Sequence, residues 1–451
     1  LFNTQLLNKY NTSGPRYTSY PTALEFDESF QQAELISAIE HSDKTDLSLY
    51  IHIPFCHSLC YYCGCNKVVT RHRDKANTYL DYLIKEINAK APLFSHYQVK
   101  QLHLGGGTPS FLTNEQLSRL MHALRSAFNF IDTPEISIEV DPREIELSMV
   151  DHLAVLGFNR MSIGVQDTDL QVQEAINRVQ STAFIGELVA RAKQRAFSSV
   201  NVDLIYGLPH QNTATFGQTL VDVNAMGVDR ISLFSYAHLP SRFAAQRKLK
   251  DEWLPNSQAK FALMQQAIET LTDFGYEFVG MDHFAKPDDE LALAQKAGTL
   301  HRNFQGYTTK GDCDLLGLGV SSISAVGNSL CQNEKSLKHY YQAIEEQSNA
   351  LTQGITLTED DLLRGDIIRE LMCNLFVDKQ TISKDYGINF DQYFQEELKS
   401  LDTFIYDGLV TTSENWICVA PKARLLIRNI AMSFDAYMKK HLNQQRFSRV
   451  I

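Results

Sequence analysis

Four cysteines fall within ten residues of this 451-residue chain, in the stretch His52-Ile-Pro-Phe-Cys-His-Ser-Leu-Cys-Tyr-Tyr-Cys-Gly-Cys. Cys56, Cys60 and Cys63 are spaced C-x3-C-x2-C, and Cys65 follows two positions later. Clusters of the [4Fe–4S] type take one cysteine per iron, so three thiolates from one loop would leave one iron open. An open iron can chelate S-adenosylmethionine and cleave it reductively, giving radical chemistry that proteins delegate to cofactors. Zinc is a competing reading, using all four thiolates in a tetrahedral set. Structural zinc sites usually draw on two separated pairs, whereas Cys313, Cys331, Cys373 and Cys418 are scattered singly. Disulfides fit poorly, because eight cysteines in a chain this long is not the density of a secreted scaffold.

A loop of this kind needs a scaffold to hold it. Short apolar runs at 47–53, 99–104, 135–140, 160–165, 201–206 and 230–234 alternate with segments of helical period. Leu80, Leu83, Ile84 and Ile87 form one stripe, and Leu117, Leu120, Met121, Leu124 and Phe128 another. Strands separated by helices predict a parallel sheet of six βα units, with a further strand possible at 276–281. Six is fewer than the eight of a closed barrel, and a doubly wound sheet competes, but both put function at the carboxyl ends of the strands. The polar residues gather there: the cysteine loop, Gly105-Gly106-Gly107-Thr108-Pro109, Glu139 and Asp141, Gln166 and Asp167, Asp203 and Tyr206, and Tyr236-Ala237-His238.

Three successive glycines let a ligand approach the backbone and reach its N–H groups; a tight turn is the plain alternative. Glu139 and Asp203 stand inside apolar strand patterns, where a buried ion pair competes with hydrogen bonding to a ligand. Gln166 and Arg178 read less sharply, compatible with ordinary surface or rim chemistry. Asp282-His283 and His301-Arg302-Asn303 lack the spacing of a zinc-binding helix and read as structural histidines.

The net charge of −11 argues against broad nucleic-acid binding. No apolar run approaches the ~18 residues of a membrane span. The first residues lack a basic segment followed by an apolar one, so a reducing cytoplasmic setting is expected. From about residue 331 the pattern changes to helices at 359–373 and 390–401, a hairpin from 409–412 and 416–419, and a last helix from Pro421. That order is winged-helix-like. The expected domains are an N-terminal segment, 1–35, lying over the active site, a barrel at 36–330 and a mostly helical C-terminal domain at 331–451.

These stretches together resemble the radical SAM superfamily. Within it, the chain is similar over essentially its whole length to the oxygen-independent coproporphyrinogen III dehydrogenases (anaerobic coproporphyrinogen oxidases). The resemblance rests on Gly14-Pro-Arg-Tyr-Thr-Ser-Tyr-Pro-Thr22, the cysteine loop from Tyr50 to Cys65, Leu104-Gly-Gly-Gly-Thr-Pro109, Gly280-Met-Asp-His-Phe-Ala285 and His301-Arg-Asn-Phe-Gln-Gly-Tyr-Thr-Thr309. It implies an α/β fold, an incomplete (β/α)6 TIM-like barrel with a smaller C-terminal domain. It implies that Cys56, Cys60 and Cys63 hold a [4Fe–4S] cluster, and that Tyr50, Gly106, Glu139 and Ile323 contact the cluster-bound S-adenosylmethionine. A second S-adenosylmethionine is implied at Tyr62, Gly107, Thr108, Gln166, Arg178, Asp203 and Ala237, where the family also admits Phe at position 62.

The implied reaction is oxidative decarboxylation of two propionates of coproporphyrinogen III to the vinyl groups of protoporphyrinogen IX. A reductant such as flavodoxin with its reductase, and an unidentified electron acceptor, are the implied partners, with neither nucleic acid nor membrane. Arg16 is the expected contact for a substrate carboxylate, ahead of Lys67, Arg71 and Arg73. Cys65 is expected to support the site without ligating the cluster. A monomer is consistent with the size of the chain. The alternatives are a haem chaperone of the same superfamily, which generally lacks the fourth cysteine, a related methyltransferase, and a zinc-stabilised regulator.

Overall fold

A computed structural model describes residues 4–441. The chain divides into two compact units, one made of Phe26–Tyr276 and Asp312–Thr356, the other of Leu1–Glu25, Glu277–Gly311 and Leu357–Ile451. The larger unit contains the cysteine loop. Residues 331–356, expected with the C-terminal domain, belong to this larger unit, and the segment 1–35 is divided at residue 25.

All six expected strands are present: β1 (Asp46–Ile53), β2 (Gln98–Gly106), β3 (Phe130–Val140), β4 (Arg160–Gln166), β5 (Ser199–Tyr206) and β6 (Arg230–Ser235). Each pairs in parallel with the next. They are followed by α1 (Lys75–Lys90), α2 (Asn114–Ala127), α3 (Leu147–Val155), α4 (Thr182–Gln194), α5 (Thr213–Ala225) and α6 (Ser257–Asp273). Six of the eight positions of β1 are buried, as a parallel strand covered on both faces requires. Leu80, Leu83 and Ile87 of α1 and Leu117, Leu120, Met121 and Leu124 of α2 are buried, so both helical stripes face the sheet. A reciprocal cap starts α2: Thr113 Oγ1 accepts from the Gln116 N–H, and Gln116 Oε1 from the Thr113 N–H.

Four strands along the other edge of this sheet were not expected. β7 (Asp314–Leu318) adds in parallel beside β1, and β8 (Ile323–Val326), β9 (Ser329–Asn333) and β10 (Leu351–Thr356) extend that edge antiparallel. The strand order in this unit is β10-β9-β8-β7-β1-β2-β3-β4-β5-β6, an open sheet in which β6 and β7 lie far apart in the order. The turn from β7 to β8 folds tightly, and a Cβ on Gly317 would come within 2.4 Å of the Ile323 carbonyl oxygen.

In the smaller unit, Glu277–Gly280 and His283–Ala285 pair antiparallel, as do His301–Asn303 and Gly306–Thr308. A helix at Glu359–Asn374 precedes a three-stranded sheet in the order Phe376–Asp378, Trp416–Val419, Val410–Thr412. The helix expected over 390–401 is broken into Phe390–Tyr393 and Gln395–Ser400, followed by Asp402–Tyr406. The first break falls at Phe394, whose backbone (φ −100°, ψ 29°) leaves the α-helical region, and Phe394, Leu401 and Phe404 are all buried. The last helix begins as a 3-10 turn at Pro421–Leu426 and becomes α-helical at Ile427–Ala431. Among the described residues no helix is long and apolar enough to cross a membrane.

One buried ionic network fastens α1 to the added strands. Lys90 Nζ lies 2.7 Å from Glu86 Oε1, with Glu86 fully buried. Glu86 also accepts from Asn333 Nδ2 (2.7 Å), the Gly319 N–H (2.8 Å) and the Tyr340 hydroxyl (2.7 Å). Removing the ammonium strands a buried carboxylate. Lys90→Met is expected to destabilise the protein by about 3–5 kcal/mol, read as a lowered urea midpoint. Adding Glu86→Leu should recover part of that loss.

Candidate active site

The cysteine loop leaves β1 at Ile53 and returns beside itself, because Phe55–Cys56 pairs in parallel with Val68–Val69. The Val68 N–H donates to Pro54 O (2.7 Å) and the Thr70 N–H to Cys56 O (2.9 Å). Phe55, fully buried, stacks on Phe111 and packs edge-on against Tyr79. The loop's tip is tied by Tyr61 N–H to Ile176 O (3.0 Å), Asn177 Nδ2 to Leu59 O (2.8 Å) and Lys67 Nζ to Cys63 O (3.1 Å). Gln246 Nε2 donates both to Tyr62 O (2.9 Å) and to Ala237 O (3.2 Å), coupling the loop to the chain after β6.

Each of the three expected cluster ligands has a donor at its sulfur. Thr108 Oγ1 lies 3.3 Å from Cys56 Sγ, and the Cys65 N–H is 3.4 Å from Cys63 Sγ. Cys60 Sγ meets two guanidinium groups, Arg178 Nη1 at 3.3 Å and Arg143 Nη2 at 3.4 Å. Burial pushes the Cys56 thiol up to about 11. Hydrogen bonding from Cys65, together with the Lys67 ammonium, brings Cys63 down to about 6. Thiolates surrounded by cations and N–H donors are what a cluster requires of its ligands, so the residues present fit the group. Cys65 itself is exposed. All eight cysteines are unpaired.

Both guanidinium groups are held by Asp141. Arg143 grips it bidentately, Nε to Oδ1 at 2.9 Å and Nη2 to Oδ2 at 2.6 Å, and Arg178 Nη1 is 3.0 Å from Oδ2. Although burial opposes ionisation, the two cations lower the carboxyl from its ordinary 3.8 to about 2. Tyr62 stands near this group, and burial holds its hydroxyl well above the usual range.

The second strand end carries the glycine run. Gly106 has φ +115°, and a Cβ there would lie 2.6 Å from the His52 ring; a Cβ on Gly107 would lie 2.6 Å from Pro54 O. The glycines therefore allow the backbone to close on β1 and its loop. The Gly106 N–H donates to Glu139 Oε2 (3.1 Å), and His103 Nε2 is 3.4 Å from Oε1. Glu139 is not a buried ion pair: its side chain is 43% exposed. Tyr50 stacks on His103 (centroids 5.9 Å apart) and its hydroxyl is 3.2 Å from His52 Nδ1. Tyr50 is paired in register with Gly317, over which Ile323 folds. Tyr50, Gly106, Glu139 and Ile323 thus lie along one side of the rim.

Gln166 and Arg178, read as surface or rim residues, are both buried. A Cβ on Gly164 would meet Gln166 Nε2 at 2.9 Å and Arg178 Nη2 at 2.8 Å, so the absent side chain makes their room. Gln166, at φ +66°, ends β4 with its Oε1 buried and without a partner, as is Arg178 Nε. Asp203 is half-buried, with Oδ1 accepting from Asn201 Nδ2 (2.9 Å) and Oδ2 within 3.4 Å of Ser162 Oγ. Asp167 faces inward onto Gln211, Thr219 and the Asp169 N–H and is structural.

Arg16 lies in the other unit, half-exposed, with Nη1 3.3 Å from Asp282 Oδ2. Lys67 is committed to the cysteine loop, with a second bond to Cys65 O (3.4 Å); Arg73 lies over the Phe111 ring at 6.0 Å, and Arg71 is exposed. Arg143 and His103 carried no signal in the sequence beyond their proximity to Asp141 and to the glycines.

The radical SAM superfamily model matches residues 50–223, from the end of β1 into α5. The chain is 56% identical to the oxygen-independent coproporphyrinogen III oxidase of Salmonella typhimurium, covering 99% of this chain and 98% of that protein. It is 55% identical, with the same coverage, to the protein of that name from Escherichia coli K12 and 46% identical to that of Synechocystis, over 100% and 98% of the two chains. The solved structure of the Escherichia coli coproporphyrinogen III oxidase, described as a radical SAM enzyme, superposes with a TM-score of 0.94 at 53% identity, over 97% of this chain and 99% of that one.

Asp141 gives this site a pH signature. Its carboxyl is depressed in the folded protein, so the unfolded chain binds more protons and stability rises with pH. A fall from 3.8 to about 2 contributes about 2 kcal/mol above the ordinary value, lost as pH drops from about 4 to 2. Asp141→Asn should lower the urea midpoint of the apoprotein at pH 7 and flatten its decline between pH 4 and 2. An unchanged slope would remove Asp141 from that role.

Proposed function

The chain belongs to the oxygen-independent coproporphyrinogen III oxidases of the radical SAM superfamily, and from that membership we propose that it oxidatively decarboxylates two propionates of coproporphyrinogen III, giving protoporphyrinogen IX. The observation that carries this reading beyond the name is the meeting of three loop thiols, each with its own donor, and a rim of underused polar groups in one unit. When bound, the cluster and S-adenosylmethionine supply a 5′-deoxyadenosyl radical able to take hydrogen from an unactivated carbon. Each propionate then gives up one hydrogen atom, carbon dioxide and one further electron, and becomes a vinyl group.

The residues have separate tasks. Cys56, Cys60 and Cys63 hold the cluster, and the guanidinium groups at Cys60 offset its thiolate charge. Glu139, fixed by the Gly106 N–H and by His103, offers carboxylate oxygens to the amino or ribose end of one S-adenosylmethionine, with Tyr50 and Ile323 flanking it. Gln166 Oε1 and Arg178 Nε, buried and unused within the protein, would be satisfied by a second S-adenosylmethionine. Asp203, Tyr62, Gly107, Thr108 and Ala237 complete that second set. Two side chains and two rounds give the second molecule its purpose. The electron enters from a flavodoxin-type reductant and leaves to an acceptor of unknown identity, in the cytoplasm.

Reconstituted anaerobically with dithionite, S-adenosylmethionine and a cell extract as acceptor, the protein should convert coproporphyrinogen III to protoporphyrinogen IX with formation of 5′-deoxyadenosine. Asp203→Asn should cut turnover on the order of a hundredfold while bound iron stays at the wild-type level. S-adenosylmethionine cleavage without porphyrinogen conversion, together with stable haem binding, would replace this reading with a haem chaperone.

A further inference from the structure

In the smaller unit, the hairpin of His301–Asn303 and Gly306–Thr308 carries donors that nothing among the described residues uses. Arg302 lies over the Tyr307 ring, 4.7 Å from its centroid, yet its Nε and Nη1 are buried and find no acceptor. The turn residue Gln305 adds a third, with a buried and unpartnered Nε2. Buried polar groups are normally paired, and three exceptions on one hairpin call for an explanation.

The charge around them points the same way. Asp282, buried, accepts from Arg16 Nη1 at 3.3 Å and pairs with His283 Nδ1 at 2.7 Å. Against the effect of burial, His283 and then Arg302 and Arg16 hold its carboxyl well below the ordinary range. Arg428 is buried with Nε on Pro15 O (2.8 Å), and burial plus the nearby Arg16 and Arg302 lower it to about 10. Three guanidinium groups therefore share one carboxylate, in surroundings where like charges repel strongly. An arriving anion relieves that repulsion and satisfies the orphaned donors together. Arg16 keeps 39% of its side chain exposed, whereas Asp282 is buried.

Resting on the porphyrinogen reading above, we propose that Arg302, with Arg16 beside it, binds a propionate carboxylate of the substrate. The planar fork of a guanidinium matches a carboxylate in two parallel hydrogen bonds, which a lysine cannot reproduce. The stretch that reads in the sequence as holding structural histidines thus contributes an arginine that selects the substrate.

Steady-state kinetics of the reconstituted enzyme, with wild type, Arg302→Gln, Arg302→Lys and Arg16→Gln compared, tests this. Fluorescence binding of coproporphyrin III and of its neutral tetramethyl ester supplies the second readout. Arg302→Gln should raise KM on the order of tenfold to a hundredfold, change kcat little, and narrow the preference for the acid over the ester by a similar factor. Arg302→Lys should recover only part. A merely structural role would move neither the split between KM and kcat nor the preference. Wild-type KM and preference in both Arg302→Gln and Arg16→Gln would overturn the inference. If Arg302→Gln fails to fold by circular dichroism, Arg16→Gln decides alone. A wild type that does not convert coproporphyrinogen III indicts the parent reading, whereas normal wild-type turnover with indifferent variants indicts only this one.

Discussion

The site in the larger unit depends on one buried carboxylate. Without Asp141, the guanidinium groups of Arg143 and Arg178 would face each other beside Cys60 with nothing between them. With it, each is neutralised in part and fixed in direction, and both still reach the Cys60 sulfur, at 3.4 and 3.3 Å. Asp141 follows β3 directly, Arg143 comes two residues later and Arg178 follows the short helix Leu170–Ala175. The ion group therefore ties two separate parts of the sheet's rim, the segments after β3 and after β4, to the cysteine loop. A buried pair of this kind is weak evidence for stability, because desolvation offsets much of the attraction. Its value here is orientation and charge: two positive groups are held at the sulfur of one of the three proposed cluster ligands.

The glycines follow from the same demand for close approach. Gly106 and Gly107 allow β2 to close on His52 and Pro54, Gly164 makes room for Gln166 and Arg178, and Gly317 lets Ile323 fold over β7. Each side chain that is missing permits a contact that a Cβ would block. The rim's functional groups can then sit on strand ends, where the sheet fixes the backbone, instead of on long loops.

Much of this was legible in the sequence, and the exceptions have physical causes. The six parallel strands were visible as short apolar patterns, several of them alternating, as Ile136, Ile138 and Val140 do in β3 and Met161, Ile163 and Val165 do in β4. β7 to β10 were not, because they are short, mostly antiparallel, and broken by Gly317, Gly319, Ser321, Ser322, Ser324 and Gly327; the domain boundary expected at 331 fell within β9 and left β10 beyond it. Glu139, Asp203 and the cysteines stood out as polar residues in apolar or patterned surroundings. Arg143 and His103 did not, since their importance comes from tertiary neighbours and leaves no periodic trace. Gln166 and Arg178 were left between surface and rim because a single polar residue near a strand end says nothing about which way it turns. Arg302 was passed over with its neighbouring histidines, although its unpartnered guanidinium is visible once the hairpin is folded.

The claim on which the rest depends is that three cysteines, not four, hold the cluster and leave one iron open to S-adenosylmethionine. Electron paramagnetic resonance of the reconstituted, dithionite-reduced protein tests it most directly. The account predicts a reduced [4Fe–4S] signal that changes on adding S-adenosylmethionine, retained in full by Cys65→Ser and lost in each of Cys56→Ser, Cys60→Ser and Cys63→Ser. A Cys65→Ser protein without the cluster, or a wild-type signal indifferent to S-adenosylmethionine, would contradict it.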